Sequence, residues 1–158
     1  MKAVLVYGAG GNLSSGFDIR GFNNPATRIQ HLKTDADYVQ FLADYTMAWT
    51  TLQKPLIFFV QGCAVGIIAS HVAAADFAIC TDDAFFVLPF GSIGFTPEDL
   101  SSVRFSTLFG PKLSTEILLL DKRVTAQEAL NHGLVNYVIH AQAAPSTEPI
   151  LTDFAALP

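Results

Sequence analysis

Charge is scarce in this sequence. Asp, Glu, Lys and Arg make up 15% of its 158 residues, and the balance is acidic, with a net charge of −5 and a pI near 5.1. Without a basic patch there is no electrostatic footprint for nucleic acid, which is excluded as a partner. Cysteine is scarcer still, with only Cys63 and Cys80. Two lone thiols in apolar surroundings read as free core residues, which fits a reducing compartment better than a disulfide framework. Long apolar runs are missing too. None reaches the roughly eighteen residues that a membrane span needs. The longest are broken by Gln61, Gly62, Ser70 and His71. Met1 to Tyr7 is too short for a signal peptide and turns straight into Gly8-Ala-Gly-Gly11. His31, His132 and His140 are too scattered for a metal site, so no metal is expected.

What is abundant is apolar. Hydrophobic residues make up 51% of the chain and the mean hydropathy is +0.38. That excludes a disordered chain, and the length suffices for one domain with a sizeable core. The composition is also greasier than that of a typical monomer, which implies buried partner surfaces. With neither repeats nor a linker, one domain is expected over residues 1–140. A loosely ordered tail is expected over 141–158.

The chain is organised around Lys54 to Ala75. Pro55 precedes Leu56-Ile-Phe-Phe-Val60, an apolar run that reads as a buried strand. Gly62 and Gly66 bracket a tight turn, and the Ala-rich stretch from Ile67 reads as a buried helix. A glycine turn feeding a helix directs several N–H groups one way and suits a ligand that is negative or becomes so. An ordinary strand-to-helix connection has the same pattern, so both readings stand at this point.

Around this centre, Lys2 to Tyr7 reads as a strand. The Gly8-Ala-Gly-Gly11 loop lacks the third glycine of a dinucleotide fingerprint, because position 13 is Leu13. From Thr34 to Leu52, Tyr38, Phe41, Leu42, Tyr45 and Trp49 recur at helical spacing and form an apolar stripe, read as core-facing. Asp76–Thr81 and Ala84–Leu88 read as short strands. Thr96 and Pro97 read as the cap and first residue of a helix running to Phe109, with Gly110-Pro111 separating it from a second helix over Lys112–Leu120. Thr125-Ala-Gln-Glu128 is a capping box, the following helix stops at Gly133, and Leu134–Ile139 reads as a last strand. His71 reads as a buried, hydrogen-bonded core histidine. Ser70, His71 and Asp76 do not make a hydrolase triad, because neighbouring helix positions point apart.

Several of these segments, in this order, resemble the crotonase superfamily, the enoyl-CoA hydratase/isomerase family. Ser14-Ser-Gly-Phe-Asp18 is similar to its S-G-x-D signature. Gln61-Gly-Cys-Ala-Val-Gly-Ile67 is similar to its N-G-x-A-x-G signature, with Gln61 in place of Asn. Asp76-Phe-Ala-Ile-Cys80 and the stretch from Thr125 to Gly133-Leu-Val135 resemble two later family segments. The resemblance implies an α/β fold, the crotonase-like (ClpP/crotonase) core of ββα repeats, here short at both ends. It implies an acyl-CoA substrate, with coenzyme A as part of the substrate and no separate cofactor. Ser14, Ser15, Gly16, Asp18, Ala64 and Gly66 would contribute to acyl-CoA binding. The backbone N–H groups of Phe17 and Ile67 would form an oxyanion hole. It also implies a homo-oligomer once the further family helices are supplied.

The resemblance also bears on the chemistry. Hydratases of this family use two glutamates, and this chain has Ser70 at the first position and no acid between Ala84 and Pro97. Hydration is therefore not expected. The segment Pro89-Phe to Thr96-Pro-Glu98 instead resembles the loop of Δ3,Δ2-enoyl-CoA isomerases, especially the peroxisomal kind. Taken bare, Glu98 decorates a helix N-terminus; with the resemblance, it is the base that moves a proton in fatty-acid β-oxidation. Asp99 stands where isomerases often have Gly. It is expected to raise the Glu98 pKa or to hinder substrate entry. The alternative is a catalytically silent crotonase-fold protein that binds acyl-CoA or a partner chain. The resemblance points to peroxisome or mitochondrion, but no targeting signal is present to choose a compartment.

Overall fold

The computed structural model describes residues 2–17 and 35–141. Asp18 and all but the first residue of the expected tail lie outside the described residues.

Among the described residues a four-stranded parallel sheet has the order β1-β2-β4-β7. Its strands are β1 (Val4–Tyr7), β2 (Leu56–Val60), β4 (Phe77–Thr81) and β7 (Tyr137–Ile139). All five residues of β2 are buried, as its unbroken apolar run requires for an inner strand of a parallel sheet. Asp76 fixes the neighbouring strand: its Oδ2 accepts from the Leu56 N–H at 2.8 Å. Asn136 acts likewise where β7 begins, accepting from Ala78 N–H at 2.8 Å.

A second sheet stands beside the first, with order β3-β5-β6. It contains β3 (Cys63–Val65), β5 (Phe85–Val87) and β6 (Val124–Thr125). The supposed tight turn between Gly62 and Gly66 is therefore a strand with a glycine at each end. Each of the central units runs strand, strand, helix: β2–β3 leads into α2 (Ile67–Ala74), and β4–β5 leads into α3 (Phe90–Ile93). This is the ββα pattern that the resemblance implies.

Three helices complete the layers. Helix α1 (Asp35–Thr50) lays Trp49 against the core, where its ring centroid is 6.1 Å from that of Phe58. Helix α4 (Ser101–Leu119) is broken by extended, left-handed-φ geometry at Gly110 (φ 73°, ψ 167°), followed by Pro111, so it is two helical halves as the sequence suggests. Helix α5 (Ala126–Asn131) begins with the expected capping box.

One boundary differs. Thr96 does not cap a helix at Pro97; α4 starts at Ser101, after Asp99 and Leu100 both take left-handed backbone angles. The cap signal is overridden by contacts of Asp99 with two distant helices, described below.

Candidate active site

The first loop is laid against the central strand–strand–helix unit by backbone pairing. Leu13 N–H donates to Gln61 O at 2.9 Å, Ser14 N–H to Cys63 O at 3.0 Å, and Val65 N–H to Ser14 O at 3.1 Å. Asn12 Oδ1 accepts from Cys63 N–H at 3.1 Å. Ser14 and Ala64 thus form an isolated parallel bridge. The two stretches singled out as signatures, some fifty positions apart, become one wall.

Within that wall the glycines aim the next residue. Gly16 N–H is held by Ser14 Oγ at 3.1 Å, and Gly66 N–H is held by Val87 O at 2.8 Å. Gly66 sits at φ 69°, ψ −137°, a conformation that side-chain residues rarely adopt. The following residue, Ile67, opens α2, so its N–H belongs to the unpaired first turn of a helix and lies at the positive end of the helix dipole.

A cavity of about 440 Å³ lies over this wall. Ser15, Gly16, Phe17, Gly66, Ile67 and Glu98 all line it. These are six of the sequence-derived site residues, drawn from three separate segments. Ser14 and Ala64 do not line it. Ala64 is fully buried, and both serve as the scaffold beneath.

The opposite wall is one that sequence reasoning misassigned. Phe41, Leu42 and Tyr45 of α1 line the cavity, with Pro89, Phe90, Ile93 and Phe95 closing another side. The α1 stripe is thus divided. Trp49 packs on the core, while Phe41, Leu42 and Tyr45 before it line the cavity. The aromatic spacing was visible in the sequence, but the spacing alone could not tell core from cavity.

Glu98 is half-buried at the cavity edge. Burial pushes its carboxyl above the usual carboxylate range, and the neighbouring Asp99 charge pushes it further. Burial also raises the Tyr45 phenol, so this group faces the cavity as a neutral hydroxyl. Asp99 does not narrow the cavity. Its side chain turns inward, only 4% exposed, with Oδ2 2.7 Å from His71 Nε2 and Oδ1 accepting from Thr46 Oγ1 at 2.7 Å. His71 is buried as expected. The Asp99 oxygen, however, lies off the direction that a hydrogen bond to Nε2 needs, and Nδ1 has no hydrogen-bond partner among the described residues. The 2.7 Å approach is therefore a close polar contact rather than a formed hydrogen bond. Among the described residues no cluster of His, Cys, Asp and Glu is able to hold a metal ion, and no helix is long and apolar enough to cross a membrane.

A sequence model of the enoyl-CoA hydratase/isomerase family matches residues 1–147. Among curated proteins, the peroxisomal enoyl-CoA delta isomerase 3 of Mus musculus is 35% identical over 131 residues, covering 83% of this chain and 41% of that protein. Enoyl-CoA delta isomerase 2 of Homo sapiens is 35% identical over 137 residues, covering 85% of this chain and 34% of that protein. The chain thus spans between a third and about two-fifths of these relatives' lengths. An enoyl-CoA hydratase/isomerase structure from Pseudoalteromonas atlantica superposes with a TM-score of 0.80 at 26% identity, over 99% of this chain and 60% of that one. The fold is the crotonase fold, and the chain belongs to the enoyl-CoA hydratase/isomerase family, within which it is most like the enoyl-CoA isomerases.

Proposed function

We propose that this chain carries the active site of a 3-enoyl-CoA isomerase, which moves a double bond from the 3- to the 2-position of an acyl-CoA. The observation that carries the reading is that Glu98, Phe17 and Ile67 line one apolar cavity. Ionised Glu98 takes a proton from C2 of the thioester. The electron pair left on C2 delocalises onto the thioester oxygen and across the C3–C4 double bond. The Phe17 and Ile67 N–H groups stabilise the oxygen of that dienolate, a type of contact worth about 2.7–4 kcal/mol for one well-placed donor. Glu98 then returns the same proton to C4, and the double bond settles between C2 and C3. No redox or metal cofactor is needed, and coenzyme A belongs to the substrate. The apolar walls from α1 and α3 hold the acyl chain and keep water from the dienolate. This chemistry places the protein in fatty-acid β-oxidation, where 3-enoyl thioesters must be converted to 2-enoyl ones.

Residues 1–140 act as one catalytic unit in this reading. Val103, Leu119 and Leu120 expose large apolar side chains, and a second copy of the chain or further family helices would cover them.

The test is turnover of a 3-enoyl-CoA by wild type and by Glu98→Gln, followed by the ultraviolet absorbance of the conjugated product. Wild type is expected to turn over and the variant to lose activity almost completely. The active form of Glu98 is the deprotonated one, and its pKa is raised. Activity is therefore lost as pH falls through a value above the usual carboxylate range. Acyl-CoA binding without turnover in wild type would reduce the protein to a silent binder.

A further inference from the structure

The backbone that carries Glu98 is unusual. Asp99 (φ 51°) and Leu100 (φ 63°) are consecutive non-glycine residues in the left-handed region. Non-glycine residues are strained there, so the turn persists only where its surroundings hold it. One end is held locally, where Glu98 O accepts from Ser101 N–H at 3.0 Å and from Ser101 Oγ at 2.6 Å. The other end is held at long range by the Asp99 carboxylate, through Thr46 on α1 and His71 on α2.

His71 is itself fixed in a narrow slot. Its ring stacks on Trp49 with centroids 4.5 Å apart and leans on Tyr45 at 5.2 Å. It stands four residues after Ile67, one turn along the same helix and on the same face. A buried polar contact of this kind adds little net stability compared with apolar packing. Its physical effect is to fix geometry.

Building on the isomerase reading, we propose that His71 and Asp99 are positioning residues. They clamp the left-handed turn bearing Glu98 onto the helix bearing the Ile67 N–H, so that base and oxyanion donor are held at a fixed separation. Through α2, one rigid helical turn then relates the two groups that must act on the same dienolate. The titratable groups sharing this neighbourhood are Tyr45 from α1, His71 from α2, and Glu98 and Asp99 from the turn.

The test uses the full chain, with 3-hexenoyl-CoA as substrate, and compares Asp99→Gly, Asp99→Asn and His71→Leu with wild type. Glycine tolerates the left-handed turn without strain, so Asp99→Gly removes only the anchors. Asparagine keeps the turn and an acceptor for Thr46. Misplacing a reacting group by about 1 Å is enough to cost on the order of 100-fold. Asp99→Gly and His71→Leu are therefore expected to lower kcat by roughly 10- to 100-fold. KM should stay within about twofold, the split that marks an interaction made in the transition state, and Asp99→Asn should recover most of the loss. Unchanged kcat in Asp99→Gly and His71→Leu, beside an active wild type, would overturn the clamp and leave the isomerase reading standing.

If wild type itself fails to turn over, the isomerase reading falls, and the clamp is decided by carbon-13 titration of the Glu98 carboxyl. Asp99→Asn removes a neighbouring negative charge and should move the midpoint down. His71→Leu removes one anchor of the Asp99 carboxylate and should move the midpoint as well. A midpoint that His71→Leu leaves at the wild-type value would overturn the clamp.

Discussion

Gly66 sets the direction of the Ile67 N–H, the proposed oxyanion donor. A Cβ at this position would meet no atom within 4 Å, so a larger residue is opposed by the backbone and not by its neighbours. At φ 69° alanine is strained, and such substitutions destabilise by about 1 kcal/mol or more. Relieving that strain by rotation of the 66–67 peptide would turn the Ile67 N–H to a new direction. Gly66→Ala is therefore expected to lose kcat out of proportion to its loss of stability, measured by turnover beside thermal unfolding. A kcat that stays at the wild-type level would mean that the Ile67 N–H takes no part. At this scale the sequence was informative about backbone devices. Gly16 and Gly66 stand out through local glycine spacing, whereas Glu98 was singled out only by the resemblance to isomerases. The inward turn of Asp99 could not be read, because its partner Thr46 lies 53 positions away, and no local pattern encodes such a contact.

At the scale of elements, legibility follows length and local chemistry. Strand β2 was plain, because a strand buried on both faces shows as a continuous apolar run. Strands β3 and β6, of three and two residues, are too short to carry a period, and pairing with β5 alone defines them. The capping box of α5 was read correctly because all its contacts are local. Thr125 Oγ1 accepts from Glu128 N–H at 3.2 Å, and the Glu128 carboxylate accepts from Thr125 N–H at 2.9 Å. Lys122 Nζ adds a contact to the same carboxylate at 2.8 Å. The Lys122 ammonium, and then the Thr125 N–H, hold Glu128 down to about 2. Because its folded pKa is depressed, its contribution is present above the ordinary carboxylate value and is lost as pH falls through about 2. The group is largely solvent-exposed, so screening keeps that contribution small. Thr125→Ala is expected to cost about 1 kcal/mol at neutral pH, measured by urea unfolding. A cost indistinguishable from zero would show that the β5–β6 pairing alone holds the helix start.

For the whole molecule, the two cysteines report on different depths of one structure. Cys80 is fully buried in β4, between β2 and β7, and burial pushes its thiol up to about 12, with Asp83 and Asp82 adding to the shift. Cys63 is half-buried in β3, beside the first loop. Only the thiolate reacts with alkylating reagents. Cys80 is therefore protected twice, by exclusion of the reagent and by its proton. Its release requires β4 to separate from its neighbours, which is an opening of the central sheet and not a local fluctuation. The cavity, by contrast, is bounded in part by α1, the first loop and the 89–98 segment, none of which belongs to that sheet. Labelling of the native protein at neutral pH is thus expected to modify Cys63 first, and Cys80 only as denaturant reaches the global unfolding midpoint. Under the proposed function, bound acyl-CoA ought to slow Cys63, which shares β3 with the cavity-lining Val65, while leaving the order of the two unchanged. Rapid modification of Cys80 in the absence of denaturant would mean that the parallel sheet opens independently of global unfolding, and that the cavity walls rest on a mobile base.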